Sequence, residues 1–251
     1  MPNRLQSGHL LVAARNFEKS DAHAHPDTIY LNPFYNTKDV GPIVLEIPTA
    51  DENASITGSV DDAWQTAIED VGPTGGDKGK GGKYVILPPG YTDKVPDGYI
   101  PMPSPTYTSF AILRSNLKSG SDADIAKAVD YGKRVKVYPL SQATNPPDTK
   151  FVDAIDTVFD SRIPYDLRFF QTLDRFVQRE PWLERDKAMI GTLKTIGIEK
   201  GKTFAPKAPS GTESNWVPQM RAAALKFCFA SMVRAKHYFE KTWVLPEHRE
   251  G

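Results

Sequence analysis

Four carboxylates, Asp61, Asp62, Glu69 and Asp70, lie close in sequence around Trp64. Paired carboxylates run general acid–base chemistry when their surroundings push their pKa values apart. A tryptophan beside them offers a flat apolar surface for a sugar ring, although sandwich cores also commonly bury a Trp. The segment from Gly72 to Lys83 follows at once, with five glycines at 75, 76, 79, 81 and 82 and with Asp77, Lys78, Lys80 and Lys83. It fails as a nucleotide phosphate loop. Gly76 and Gly81 have the required spacing, but Gly82 stands where the lysine belongs, and the following YVILPPG reads as strand rather than helix. The dinucleotide fingerprint fails too, because Tyr84 takes the place of the third glycine. What remains is a hairpin or crossover loop, with an anion-binding nest of backbone amides as the functional alternative.

His23, His25 and Asp27 alternate. On a strand they would share one face and could chelate zinc or a similar ion, whereas a solvated polar segment is the simpler reading. No cofactor is expected. Tyr165, Asp166 and Arg168 begin an apolar helical stripe, where Asp166 can cap the helix. Ser104, Ser109 and Ser141 lie in no Gly-x-Ser-x-Gly elbow. The one cysteine, Cys228, sits between Phe227 and Phe229 and reads as a buried inert thiol; alone it forms no internal disulfide. The candidate ligand-binding residues are therefore Trp64, Asp70, Asp77, Lys78, Lys83, Tyr165 and Asp166.

The elements that position them can be read from periodicity. Ile43, Leu45 and Ile47 alternate with Val44 and Glu46, which predicts a strand over 40–48. Further strands are expected over 55–60, 83–88, 106–114 and 134–140. Prolines stand near most of their ends, where a missing ladder donor does little harm. Ser121 followed by Asp124 resembles a capping box opening a helix that Gly132 would close. Beyond Pro146 and Pro147 the apolar spacing turns helical over 151–160, 166–180 and 184–196. Residues 219–241 read as helix by propensity, although Phe227 and Phe229 alternate like a strand. The 251 residues suffice for a core without disulfides. Lys+Arg and Asp+Glu are both 31, so a strongly basic nucleic-acid binder is excluded. No apolar run approaches the ~18 residues of a membrane helix. Leu10–Ala14 is too short for the ~7–15 residues of a secretory apolar region, so no signal peptide is visible.

The strings DTIY, GPIVLEIP, DAWQTAIEDVGPTGGDKGKGGKYVILPPGY, PDGY and YPLSQA, continuing through IPYDLRFFQTLDRFVQREPWLERDKAMIGTLKTIGIEKGKTF, closely resemble domain-of-unknown-function family 1254 over about 27–205. The resemblance implies an immunoglobulin-like β-sandwich followed by a helical segment. It supplies no catalytic residues, and relatives are often exported. Family members usually continue into a jelly-roll domain, family 1214. Here only APSGTESNWVP at 208–218 and FEKTWVLP at 239–246 look like its end, as in an internally deleted member. A tail strand without its neighbours would dock, rewind, or pair with another chain. The expected organisation is an arm (1–26), an antiparallel β-sandwich (27–145), a helical segment (146–205) and a remnant tail (206–251), mainly β with α overall. The expected function is a binding or envelope-associated module for a glycan or other small polar ligand. The alternative is a hydrolase using carboxylates and lysines near Asp70, Asp77, Lys78 and Lys83.

Overall fold

The computed structural model describes residues 9–13, 29–153 and 166–205. The chain divides into two compact units, Met1–Phe159 and Asp160–Gly251. The first is built from ten strands: β1 (His9–Ala13), β2 (Ile29–Asn36), β3 (Ile43–Ile47), β4 (Ile56–Asp62), β5 (Ala67–Val71), β6 (Gly82–Leu87), β7 (Tyr99–Pro103), β8 (Thr108–Ser115), β9 (Lys136–Pro139) and β10 (Lys150–Asp153). A short helical turn α1 (Thr37–Val40) and the helix α2 (Asp122–Gly132) interrupt them. The strands make two sheets, a six-stranded one in the order β10-β1-β2-β8-β4-β5 and a four-stranded one in the order β7-β6-β3-β9. Pairing is antiparallel except for β1 with β10 and β6 with β7, which run parallel. The fold is mainly β with α.

One core lies between the sheets. Ile29, Leu31, Tyr35, Ile56, Val60, Ala111 and Leu113 enter it from the six-stranded sheet, and Ile43, Leu45, Ile47, Tyr84 and Ile86 from the four-stranded one. The alternation of β3 is thus realised, with Ile43, Leu45 and Ile47 in the common core. Each such side chain contributes about 1.5–3 kcal/mol by leaving water. The opposite face of β3 is covered as well: Val44, Val85, Leu87 and Tyr138 form a second cluster against Tyr91 and Val95 from the connection after β6. Burial on both faces explains why YVIL reads as an uninterrupted apolar run rather than an alternation.

Helix α2 begins as its sequence predicts. Ser121 Oγ accepts from the Asp124 amide at 3.3 Å. The Asp124 carboxylate does not return to Ser121, however; it accepts from the amides of Lys118 and Ser119 and so ties down the preceding turn. Tyr131 and Ala128 carry the helix into the common core.

Two stretches depart from the expected elements. His9–Ala13, placed in an arm or short helix, is a strand between β2 and β10. Residues 151–160 carry helical apolar spacing, yet Lys150–Asp153 form strand β10. Four residues are too few for periodicity to separate strand from helix, and the ladder with β1 satisfies this backbone. The remainder of that expected helix lies outside the described residues.

The second unit contains α3 (Leu167–Arg179) and α4 (Lys187–Thr192), the latter flanked by single turns of tighter 3-10 helix at Glu184–Asp186 and Leu193–Ile196. Asp166 caps α3, its carboxylate accepting from the Arg168 amide at 2.8 Å and pairing with the Arg168 guanidinium. Phe170 and Val177 of α3 are buried, as are Ile190 and Ile198. The single helix expected over 184–196 is therefore broken, and Met189, which helical spacing would put on one stripe with Ile190 and Leu193, is exposed. The three successive turns change the angular advance per residue, so one stripe cannot be maintained.

Candidate functional site

The six-stranded sheet presents its outer face through residues that alternate with the core. Register places them in rows. Phe34 of β2 pairs with Phe110 of β8, which pairs with Asp61 of β4. Two residues along, Ile112 pairs with Ser59, which pairs with Asp70 of β5. Two further on, Tyr30 pairs with Arg114, which pairs with Thr57. The inner face shows the reverse pattern: Tyr35, Ser109 and Asp62 form a row, all buried.

This outer face is amphiphilic. The Phe34 and Phe110 rings stack at 6.2 Å between centroids with planes 28° apart. Phe34 is 45% exposed and Ile112 37%, so an apolar platform faces water. Beside it Ser59 Oγ donates to Asp70 Oδ1 at 2.6 Å. Arg114 lies 5.5 Å from the Tyr30 ring and its Nε donates to the Tyr30 hydroxyl at 3.4 Å. Burial and the like charges of Asp62 and Asp70 hold the Asp61 carboxyl above the usual carboxylate range. The opposite sheet offers no such platform, since its outer apolar residues lie under the Tyr91–Val95 connection.

The residues expected from sequence disperse. Asp70 is on the platform's edge. Trp64 sits half-buried in the turn between β4 and β5, where the buried Asp62 carboxylate accepts from the amides of Trp64 at 2.8 Å and Thr66 at 3.0 Å. Asp77 points inward. Its carboxylate accepts from the Gly72 amide at 2.6 Å, the Gly81 amide at 3.1 Å and the Tyr84 hydroxyl at 2.7 Å. The amides that could have formed an anion nest thus already hold one of the chain's own carboxylates. Gly72 has a φ of +90°, and a Cβ there would meet the Ile56 carbonyl oxygen at 1.8 Å, so only glycine fits this fold-back. Lys78 is exposed in the loop, with a φ of 51° that a non-glycine residue seldom adopts. Lys83 lies on the outer face of the four-stranded sheet, paired with Glu46 and 6.0 Å from the Tyr99 ring. Asp70, Asp77, Lys78 and Lys83 therefore do not converge on one point. Ser104 and Ser109 are buried and hydrogen-bonded to each other at 3.2 Å.

Asp166 serves as the α3 cap, and Tyr165 lies outside the described residues, as do His23, His25, Asp27 and Cys228. Among the described residues no group of three or more His, Cys, Asp or Glu could hold a metal ion. No described helix is long and apolar enough to cross a membrane. The second unit carries an open groove of about 720 Å³ lined by Gln171, Asp174, Arg175, Gln178, Lys202 and Phe204. Gln178 at its centre is engaged internally, donating to Asp174 and Glu199 and accepting from the Gly201 amide.

The platform residues Phe34, Phe110, Ile112 and Arg114 escaped the sequence reading. A signal was there: in TSFAILRS, Ser109 and Ala111 are small while Phe110 and Ile112 are large. The small positions face the core of a half-covered strand and the large ones face water.

A protein-family model, "Protein of unknown function (DUF1254)", matches residues 3–139. The chain belongs to the DUF1254 family. The match takes in every strand of both sheets except β10, including β1, which precedes the strings that carry the resemblance. No curated protein matches the chain. Among solved structures it is similar to the crystal structure of the VPA0106 protein from Vibrio parahaemolyticus, with a TM-score of 0.59 and 15% sequence identity, over 84% of this chain and 50% of that one. The chain thus spans half the length of that protein. At this identity the likeness concerns the fold alone.

Proposed function

We propose that this DUF1254 chain is a non-catalytic binding module that recognises a glycan on the outer face of its six-stranded sheet. The observation that carries the reading is the Phe34–Phe110 stack, Phe34 exposed and Phe110 half-buried, with hydroxyl, carboxylate and guanidinium groups in the adjoining rows. Pyranose rings have an apolar C–H face and a rim of hydroxyls. The phenyl platform matches the first by dispersion and desolvation. Ser59, Asp61 and Asp70 match the second as hydrogen-bond partners. Spread over the four strands β2, β8, β4 and β5, such a surface suits a chain of sugars lying across it better than a monosaccharide held in a pocket.

The test is affinity electrophoresis through gels containing individual soluble polysaccharides. Native protein should be retarded by at least one of them, and the Phe34→Ala, Phe110→Ala double variant should run as in a blank gel while keeping the native circular-dichroism spectrum. Migration of native protein unaffected by any polysaccharide would refute the reading. Two companion proposals concern organisation. The sandwich acts as one domain that extends beyond 27–145 to take in β1 and β10, and the helices after β10 act as a separate segment. Residues 206–251 descend from the end of a family 1214 domain and are the segment through which copies would self-associate; sedimentation of the full chain against one ending at Ala205 tests this, with a loss of dimer expected on removal.

A further inference from the structure

We infer that the ligand of this face is a cationic glycan, a polymer of amino sugars with free ammonium groups, in which Asp61 and Asp70 select for charge and the Phe34–Phe110 platform binds the ring faces. This rests on the glycan reading above and narrows it.

The argument is one of charge complementarity along the rows. Asp61 is the direct neighbour of Phe110 in the first row, and Asp70 ends the second, next to Ser59 and Ile112. The cation on the same four strands, Arg114, lies in the third row and is engaged with the ring and hydroxyl of Tyr30. Among the described residues no ion pair neutralises Asp61 or Asp70; the charges acting on Asp61 are the like charges of Asp62 and Asp70. Two carboxylates beside an apolar platform would repel an acidic polysaccharide and gain only hydrogen bonds from a neutral one. They would gain from ammonium groups, and a bound ammonium would also relieve their mutual repulsion. Asp61 and Asp70 lie on adjacent strands with a register shift between Val60 and Asp61, close enough for the charge of Asp70 to act on Asp61, which lets neighbouring residues of one polymer each present a charge to one acid. The apolar part of the same ligand then covers Phe34, Phe110 and Ile112.

The experiment uses the full chain and titration calorimetry with a fully deacetylated glucosamine oligomer and its N-acetylated counterpart of equal length, at low and at high salt. At low salt the deacetylated oligomer should bind about fivefold more tightly, as expected for two partly exposed ion pairs, and high salt should erase the difference. Asp61→Asn with Asp70→Asn should remove the preference, the variant binding the two oligomers with equal affinity; a matching thermal melt checks its fold. Equal affinity for both oligomers, or a preference that survives the double substitution, overturns the charge selection and leaves the glycan reading standing. Failure to bind any glycan overturns both.

Discussion

Tyr35 is 2% exposed, and its hydroxyl has no hydrogen-bond partner among the described residues. Burial pushes its pKa well above the ordinary tyrosine value. A buried hydroxyl without a partner costs stability, while its removal leaves a ring of nearly the same shape. Tyr35→Phe should therefore be neutral or stabilising by up to about 1 kcal/mol in urea denaturation. A loss of more than about 2 kcal/mol would mean that the hydroxyl is bonded. Asp61 works in the opposite sense to a paired carboxylate. Its folded pKa is raised, so its charge disfavours the fold above the unfolded pKa, and that penalty fades as pH falls through the raised value. Asp61→Asn should stabilise the protein at neutral pH by a few tenths of a kcal/mol after solvent screening. The difference should vanish under acid conditions in paired melts; a variant less stable than native at neutral pH would contradict it.

At the scale of elements, two single side chains organise long stretches of backbone. Asp77 closes the glycine-rich loop, and replacing it by Ala would leave the amides of Gly72 and Gly81 and the Tyr84 hydroxyl without their acceptor in a buried place. A loss of about 2–3 kcal/mol is expected, with Tyr84→Phe costing less, because the two amides keep their carboxylate. Lys200 does the same for α3. Its ammonium donates to the carbonyls of Val177 at 2.8 Å, Gln178 at 2.8 Å and Glu180 at 2.6 Å, where the last turn lacks intrahelical donors. Lys200→Met should lower helix stability by about 1–2 kcal/mol, read as faster hydrogen exchange in 167–179; unchanged exchange would count against the capping role. These elements also show what could be read beforehand. The alternation of 43–47, the Ser121 cap and the Asp166 cap depend on local spacing and were legible. The strands β1 and β10 pair with each other across most of the domain, and local periodicity carries no such information, while β5 and β7 are short edge strands beside β4 and β6 whose burial does not alternate cleanly. The loop's glycines invited an anion site because sequence shows amides and lysines but not that Asp77 folds back among them. The phenyl platform was hidden for a related reason: which face of β8 meets water depends on what covers each sheet, and only the assembled sandwich decides that.

For the whole molecule, the division of labour between the sheets is the main result. The four-stranded sheet is covered on both faces and is structural. The six-stranded sheet carries core on one face and keeps Phe34 and Ile112 in water on the other. Phe34 and Ile112 in water beside charged groups are what the glycan proposal rests on. The most direct measurement is an amide chemical-shift titration of isotope-labelled protein with the polysaccharide that retards it most. Shifts should cluster on outward positions of β2, β8 and β4, centred on Phe34, Phe110 and Asp61. Shifts confined to the Gly72–Lys83 loop or to residues 166–205 would place the ligand elsewhere and contradict the account.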